Sequence, residues 1–246
     1  MVDPSAAGVQ DPTPEWYDVP GWRDRFGVAA GVTTRHAGSF ELTAARPAGP
    51  TLERWRALQT RVGFPAMVTS RQVHGAAVAR HDDVSGWLLL DGYDGHVTRK
   101  RGILLTITVA DCIPIYLLDP DRGAAALLHA GWRGAASGML RTGIEKLVEL
   151  AGSPIRDLVI HLGVGICGRC YQVGPEVLAA FGFSAPESQS PRLDLRRVLS
   201  DQARGLGVGE VSSSAWCSAH DGGTFFSHRA SRGRDGRMAA YVGFPE

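Results

Sequence analysis

The chain has no excess of either charge, almost no lysine, no long apolar run and few cysteines, and each shortage removes a class of protein. Twenty-six basic side chains face 25 acidic ones, for a formal net charge of +1. No overall field draws such a chain to nucleic acid or to a membrane surface. Only Lys100 and Lys146 are lysines, and the resulting arginine bias is read as genome composition rather than function. The longest apolar stretch, Ile103 to Val109, is broken by threonines and is too short to span a bilayer. The start, Met1-Val2-Asp3-Pro4-Ser5, lacks the basic and apolar regions of a secretory leader, which points to the cytoplasm. Cys112, Cys167, Cys170 and Cys217 make no disulfide framework in 246 residues, and in a reducing compartment they read as metal ligands or buried thiols.

What is present is an ordinary globular composition, 44% hydrophobic and 21% charged, in a length that suits one domain. A polar tail is expected over residues 1–20, its polar run giving out near Trp16, followed by one catalytic domain over residues 21–246. Strands are predicted at Phe26 to Thr33, Met67 to Val73, Ala76 to His81, Ile103 to Val109, Ile113 to Leu118 and Ala124 to His129. Others follow at Leu158 to Leu162, Val211 to Trp216 and Met238 to Val242. Helices are expected from Thr51 to a stop at Gly63, from Ala135 to Leu150, from Pro175 to Phe181 and from Asp194 to Arg204. Phe183 to Pro191 reads as a surface loop. Strands dominate without strict strand and helix alternation, so the fold class is α+β, with mixed sheets covered by helices.

Three segments place potential metal donors beside small or turn-forming residues: Arg71-Gln72-Val73-His74-Gly75, Ala110-Asp111-Cys112-Ile113-Pro114 and His129-Ala130-Gly131-Trp132-Arg133-Gly134. Each donor stands at or near a predicted strand end, where a rigid sheet offers side chains to a concave site. His74, Cys112 and His129 together make a three-ligand zinc set with one coordination position left for water or substrate. Taken one at a time, the same residues are a small buried thiol and locally hydrogen-bonded histidines.

Six segments in this order resemble the laccase-domain, or YfiH-type, family: Thr33-Thr34-Arg35, Gln72-Val73-His74-Gly75, Thr108-Val109-Ala110-Asp111-Cys112-Ile113-Pro114, His129-Ala130-Gly131-Trp132-Arg133-Gly134, Tyr171-Gln172-Val173-Gly174 and Phe225-Phe226-Ser227-His228-Arg229. The likeness runs from about Val28 to the carboxyl terminus. It implies His74, Cys112 and His129 as the metal set, a layered α/β/β/α sandwich, and a purine nucleoside phosphorylase with adenosine deaminase activity. Adenosine, inosine and methylthioadenosine are the substrates it suggests, and a role in peptidoglycan editing has been attached to some bacterial members. The chain departs from the family at His36-Ala37-Gly38-Ser39, where the family usually runs Gly-Gly-Ser, and at Gly163-Val164, where it usually has Gly-Pro.

A multicopper oxidase needs more histidines than the eight available, commonly in His-x-His pairs, and the chain has no such pair. A lone blue-copper site needs an axial methionine, and Met67, Met139 and Met238 are all remote from the donors in sequence. Copper remains the alternative ion, because intrinsic affinity favours it over zinc.

Phosphorolysis calls for guanidinium groups, for which Arg35 and Arg133 are the candidates, and Gln72 and Tyr171 are the further expected substrate contacts. Asp111 is the expected acid or base beside Cys112 and His129, and either Asp111 or Asp94 can orient a ligand histidine. Gly163-Val164-Gly165-Ile166-Cys167-Gly168 fits a dinucleotide pattern, but no helix opens within it, so it reads as a tight loop approaching ligand. Cys167-Gly168-Arg169-Cys170 has the spacing of a redox pair without a following helix to lower a thiol pKa. The basic stretch of His228, Arg229, Arg232, Arg234 and Arg237 reads as a solvated loop. The competing reading is a cysteine hydrolase or amidase with Cys112 as nucleophile and His129 as base.

Overall fold

The computed structural model of the chain describes residues 14–42, 48–184 and 191–246. Strands β1 (Trp16–Asp18) and β2 (Ala29–Thr33) flank helix α1 (Trp22–Phe26), and helix α2 (Ala48–Val62) follows. Strands β3 (Ala66–Arg71), β4 (Val78–His81), β5 (Gly86–Asp91), β6 (Gly95–Thr98), β7 (Ile103–Val109), β8 (Ile113–Asp119) and β9 (Ala124–Ala130) run in succession. Then come α3 (Trp132–Ala136), α4 (Met139–Ala151), β10 (Val159–Leu162), α5 (Pro175–Ala179), α6 (Leu195–Gly205), β11 (Glu210–Ser213), α7 (His228–Ser231) and β12 (Met238–Gly243). They form two six-stranded mixed sheets, ordered β1-β2-β12-β7-β3-β5 and β11-β10-β8-β9-β6-β4.

Period-two alternation in the central strands builds the layers. In β8, Ile113, Ile115 and Leu117 face a core shared with α4 and α6, while Tyr116 and Leu118 face the other sheet. In β7, Leu105, Ile107 and Val109 point into the space between the sheets, and Leu104 packs outward with Trp55 and Leu58 of α2. The result is the α+β fold of mixed sheets covered by helices expected of the sequence, in the single-domain α/β/β/α layering that the family resemblance implies. Each large apolar side chain buried this way contributes roughly 1.5–3 kcal/mol, so these central strands form a rigid platform.

Several boundaries differ from the sequence expectation. Trp16 to Asp18, assigned to the tail, pair with β2 as an edge strand. The helix expected over Ala135 to Leu150 is two helices, because Gly138 at φ 86° takes a left-handed turn between α3 and α4. Strands β5 and β6 were not expected; β5 is a short apolar run bounded by Gly86 and Gly92, with no alternation to mark it. Phe26 closes α1 instead of opening β2. Most of the Phe183 to Pro191 loop lies outside the described residues.

One feature of the topology positions the site. Strand β3 is parallel to both β5 and β7, so all three end at the same edge of the first sheet. From that edge each crosses to the second sheet, as β3 to β4, β5 to β6 and β7 to β8.

Candidate functional site

Each crossover delivers one residue to a common point. His74 stands in the β3–β4 connection, Asp94 in the β5–β6 turn and Cys112 in the β7–β8 turn, while His129 projects from β9. The donor atoms of His74, Cys112 and His129 all lie within 4.8 Å of one another, and the two imidazoles meet edge to face with centroids 4.9 Å apart. His129 is buried and His74 is exposed, so the cluster opens on one side. His74 and Asp111 both hold positive φ, 60° and 87°, a backbone cost that clusters at functional positions. Gly131 is needed for a different reason: a Cβ there would sit 3.0 Å from the Cys112 sulfur and 3.2 Å from the His74 ring.

Asp94 is the carboxylate that orients the cluster. Its Oδ1 lies 2.8 Å from His129 Nδ1, which leaves Nε2 of that ring to face the other donors. The same carboxylate accepts the backbone N–H groups of Val73, His74 and Gly75 at 2.9–3.0 Å, so it also shapes the loop that presents His74. Burial opposes its charge, but the bonds from His129 and from the Gly75 and Val73 amides outweigh burial and hold its pKa below the ordinary carboxylate value. For Cys112, burial acts to raise the thiol pKa, yet the adjacent His129 and His74 bring it down to about 6. Burial also acts against a charged His129, and Cys112 and Asp94 overcome it to lift the imidazole to about 9.

Two imidazoles and a thiolate with an oriented outer carboxylate suit zinc. Tetrahedral zinc with bonds of about 2.0–2.3 Å wants donors roughly 3.3–3.8 Å apart. A cluster already within 4.8 Å reaches that by small side-chain rotations. Met67, Met139 and Met238 are fully buried in the cores, and among the described residues no methionine borders the cluster to serve a copper ion.

The cluster forms the floor of a cleft of about 530 Å³. Gln72, Asp111, Arg133 and Tyr171 also border this cleft, and Arg35 does not. The Arg35 guanidinium is engaged with Asp235 at 3.1 Å, with the Phe225 carbonyl and with the Phe226 ring, so it joins chain segments instead of meeting substrate. Gln72 spends its amide on Thr108, donating to the carbonyl at 2.8 Å and accepting from the N–H and hydroxyl at 2.8 and 2.9 Å. Asp111 accepts from the hydroxyls of Ser218 and Ser227 and from the Arg229 N–H at 2.6–2.7 Å, which ties two distant loops to the Cys112 turn. It therefore positions the wall, and the histidine-orienting role falls to Asp94. Arg133 stacks over Trp132 and forms no ion pair among the described residues.

The basic stretch near the carboxyl terminus is not simply a solvated loop. His228, Arg229 and Arg237 border the cleft, with Arg229 over the Tyr171 ring at 5.2 Å and bonded to the Gln172 carbonyl. Burial, then the nearby Cys112, raises the Tyr171 phenol to about 12, so it stays protonated at neutral pH. The glycine-rich segment behaves as expected. It packs its backbone against the Cys112 turn, where Ile166 N–H donates to the Asp111 carbonyl at 2.9 Å. Among the described residues no helix is long and apolar enough to cross a membrane.

Comparison with known proteins places the chain in a family. A protein of Streptomyces coelicolor named purine nucleoside phosphorylase is 33% identical over 229 residues, covering 90% of this chain and 93% of that protein. A Deinococcus radiodurans protein of the same name is 35% identical over 206 residues, covering 80% and 78%. The crystal structure of YlmD from Geobacillus stearothermophilus shares the fold with a TM-score of 0.85 at 28% identity, covering 96% of this chain and 98% of that one. The model of the family described as multi-copper polyphenol oxidoreductase laccase matches residues 29–245. The chain belongs to that laccase-like, YfiH-type family.

Proposed function

We propose that this chain is a cytoplasmic, zinc-dependent purine nucleoside phosphorylase acting on adenosine, inosine and methylthioadenosine, with adenosine deaminase activity in the same cleft. The observation that carries the reading is the His74, Cys112 and His129 cluster on the floor of a cleft whose walls bear Arg133, Arg229 and Tyr171. The names of the relatives support the phosphorylase part of it.

His74, Cys112 and His129 would hold the zinc ion, which when bound would supply a Lewis acid. In phosphorolysis an oxygen of hydrogen phosphate bonds to the ribose C1′ as the bond from C1′ to the purine nitrogen breaks, and the proton that hydrogen phosphate carried ends on the departing base. Arg133 and Arg229 hold the phosphate dianion against that carbon, since planar guanidinium groups match phosphate oxygens. The Tyr171 ring offers a face for the purine, and its phenol remains a hydrogen-bond donor. Asp94 keeps His129 in one tautomer, and Asp111 and Gln72 hold the surrounding turns. Deamination uses the same purine contacts and water in place of phosphate, so phosphate dependence separates the two reactions.

A second reading has one observation in its favour. Cys112 at about 6 and His129 at about 9 describe a thiolate and imidazolium pair when no ion is held, with Asp94 behind the histidine as in nucleophilic hydrolases. That arrangement suits a cysteine hydrolase or amidase acting in peptidoglycan editing. His74 argues against it, because such a pair has no use for a third donor.

The test is adenine release from adenosine with and without phosphate, in wild type and Cys112→Ala, alongside metal analysis. The proposal expects phosphate-dependent release that disappears together with the metal. Turnover that persists in protein stripped of metal would favour the thiol nucleophile.

A further inference from the structure

Away from the cleft floor, a second group of donors comes together from two chain segments. The loop after β10 brings Cys167 and Cys170, and the segment after β11 brings Cys217 and His220. Their four donor atoms lie within 4.8 Å of one another, and no disulfide joins any of the cysteines. The His220 ring sits between two sulfurs, with Nδ1 3.5 Å from Cys167 Sγ and Nε2 3.2 Å from Cys170 Sγ. The Cys217 sulfur accepts the backbone N–H groups of Cys167 at 3.3 Å and His220 at 3.5 Å.

We propose that Cys167, Cys170, Cys217 and His220 form a second, structural zinc site, independent of the cleft cluster. Two donor pairs, each separated by two residues, Cys167-x-x-Cys170 and Cys217-x-x-His220, give the spacing by which a single tight turn can aim both its side chains at one ion. Both turns are formed: Cys170 N–H donates to the Cys167 carbonyl at 3.0 Å, and Asp221 N–H donates to the Cys217 carbonyl at 2.9 Å. Three thiolates and an imidazole fill a tetrahedral shell, with donor separations of roughly 3.5–3.8 Å. No coordination position remains for substrate, which marks a structural site and not a catalytic one. Cys167 and Cys170 are only partly buried and His220 is exposed, so the ion enters from the surface without unfolding the core.

The location gives the ion a purpose. Neither segment is part of a helix or an extended strand; they touch through an isolated bridge between Gly165 and Cys217. Yet the first carries Ile166 and Tyr171 to the cleft, and the second carries Ser218, whose hydroxyl donates to Asp111 at 2.6 Å. Zinc at the junction would clamp the wall bearing Tyr171 to the turn bearing Cys112.

Metal content of protein reconstituted with zinc under reducing conditions tests this. Wild type should hold two equivalents, Cys112→Ala one, and Cys167→Ser/Cys170→Ser one. Should the cleft cluster bind no zinc, wild type and Cys112→Ala would each hold one equivalent and the double variant none, which still supports the second site. Cobalt(II) in Cys112→Ala should show the intense near-ultraviolet charge transfer and visible bands of a tetrahedral thiolate site, and zinc should abolish both. This measurement leaves the second cluster untouched, so it does not depend on the double variant folding. A Cys112→Ala protein that holds no metal after reconstitution overturns the proposal, as does a disulfide joining Cys167 to Cys170 in protein kept reduced.

Discussion

Asp94 Oδ1 and His129 Nδ1 lie 2.8 Å apart with both side chains buried, and this contact couples the β5–β6 crossover to the donor on β9. The carboxylate that makes it also gathers three consecutive amides from the loop bearing His74. A single buried acid thus sets the tautomer of one donor and the backbone of another.

Replacing that acid should loosen the ion without dismantling the fold. Asp94→Asn keeps the shape but removes the charge opposite His129, and such outer partners typically govern metal affinity by about 10–100-fold. Chelator competition on the purified variant should show zinc held more weakly by that factor. Affinity equal to wild type would remove Asp94 from the role assigned here.

Removing Arg133 should act on phosphate more than on the nucleoside. Its guanidinium borders the cleft and is committed to no ion pair among the described residues, so Arg133→Ala costs a phosphate contact and little structure. A charge-assisted bond of about 1.5–3 kcal/mol corresponds to a rise in phosphate KM of roughly ten-fold or more. Steady-state kinetics with phosphate and adenosine varied separately would check it; an effect confined to adenosine would contradict the assignment.

Acid should also destabilise the protein through histidines that are not donors of the cluster. Ser70, His96 and His81 form a buried chain, with His96 Nε2 3.1 Å from the serine hydroxyl and His96 Nδ1 3.1 Å from His81 Nε2. Burial lowers His81 to about 4 and His96 to about 3, against 6.5 for an ordinary imidazole. Between these limits the unfolded chain binds protons that the folded chain refuses. Stability is therefore complete above about pH 6.5 and falls as the pH drops toward 3–4. His96→Gln, which cannot titrate, should melt lower than wild type at pH 7 but lose less between pH 6.5 and 4.5. Parallel melting curves for the two proteins across that range would rule this source out.

The central strands were readable from local sequence, and the three residues that cluster in the cleft were readable from local sequence together with the family resemblance. Strands β7, β8 and β9 are apolar runs with sharp ends, and their boundaries fall within a residue of expectation. His74, Cys112 and His129 stand beside glycine or proline turns, which marks each as a strand-end residue. Residues whose meaning depends on distant partners were not readable. Arg35 looks like a substrate guanidinium until Asp235, 200 positions away, is seen to occupy it. Asp111 and Asp94 look equivalent until Ser218, Ser227 and Arg229 are found on one and His129 on the other.

The Cys167 and Cys170 pair shows the same division. Spacing suggested two thiols, and only folding adds Cys217 and His220, some 50 residues on, to make four donors. Sequence by itself determined the central strands and which residue types can bind metal, because backbone pattern and donor chemistry are local. Tertiary structure decided that Asp94 meets His129 and that Cys217 and His220 meet the Cys167 and Cys170 pair, because parallel β3, β5 and β7 must end at one edge before their crossovers can converge, and because two loops 50 residues apart must touch.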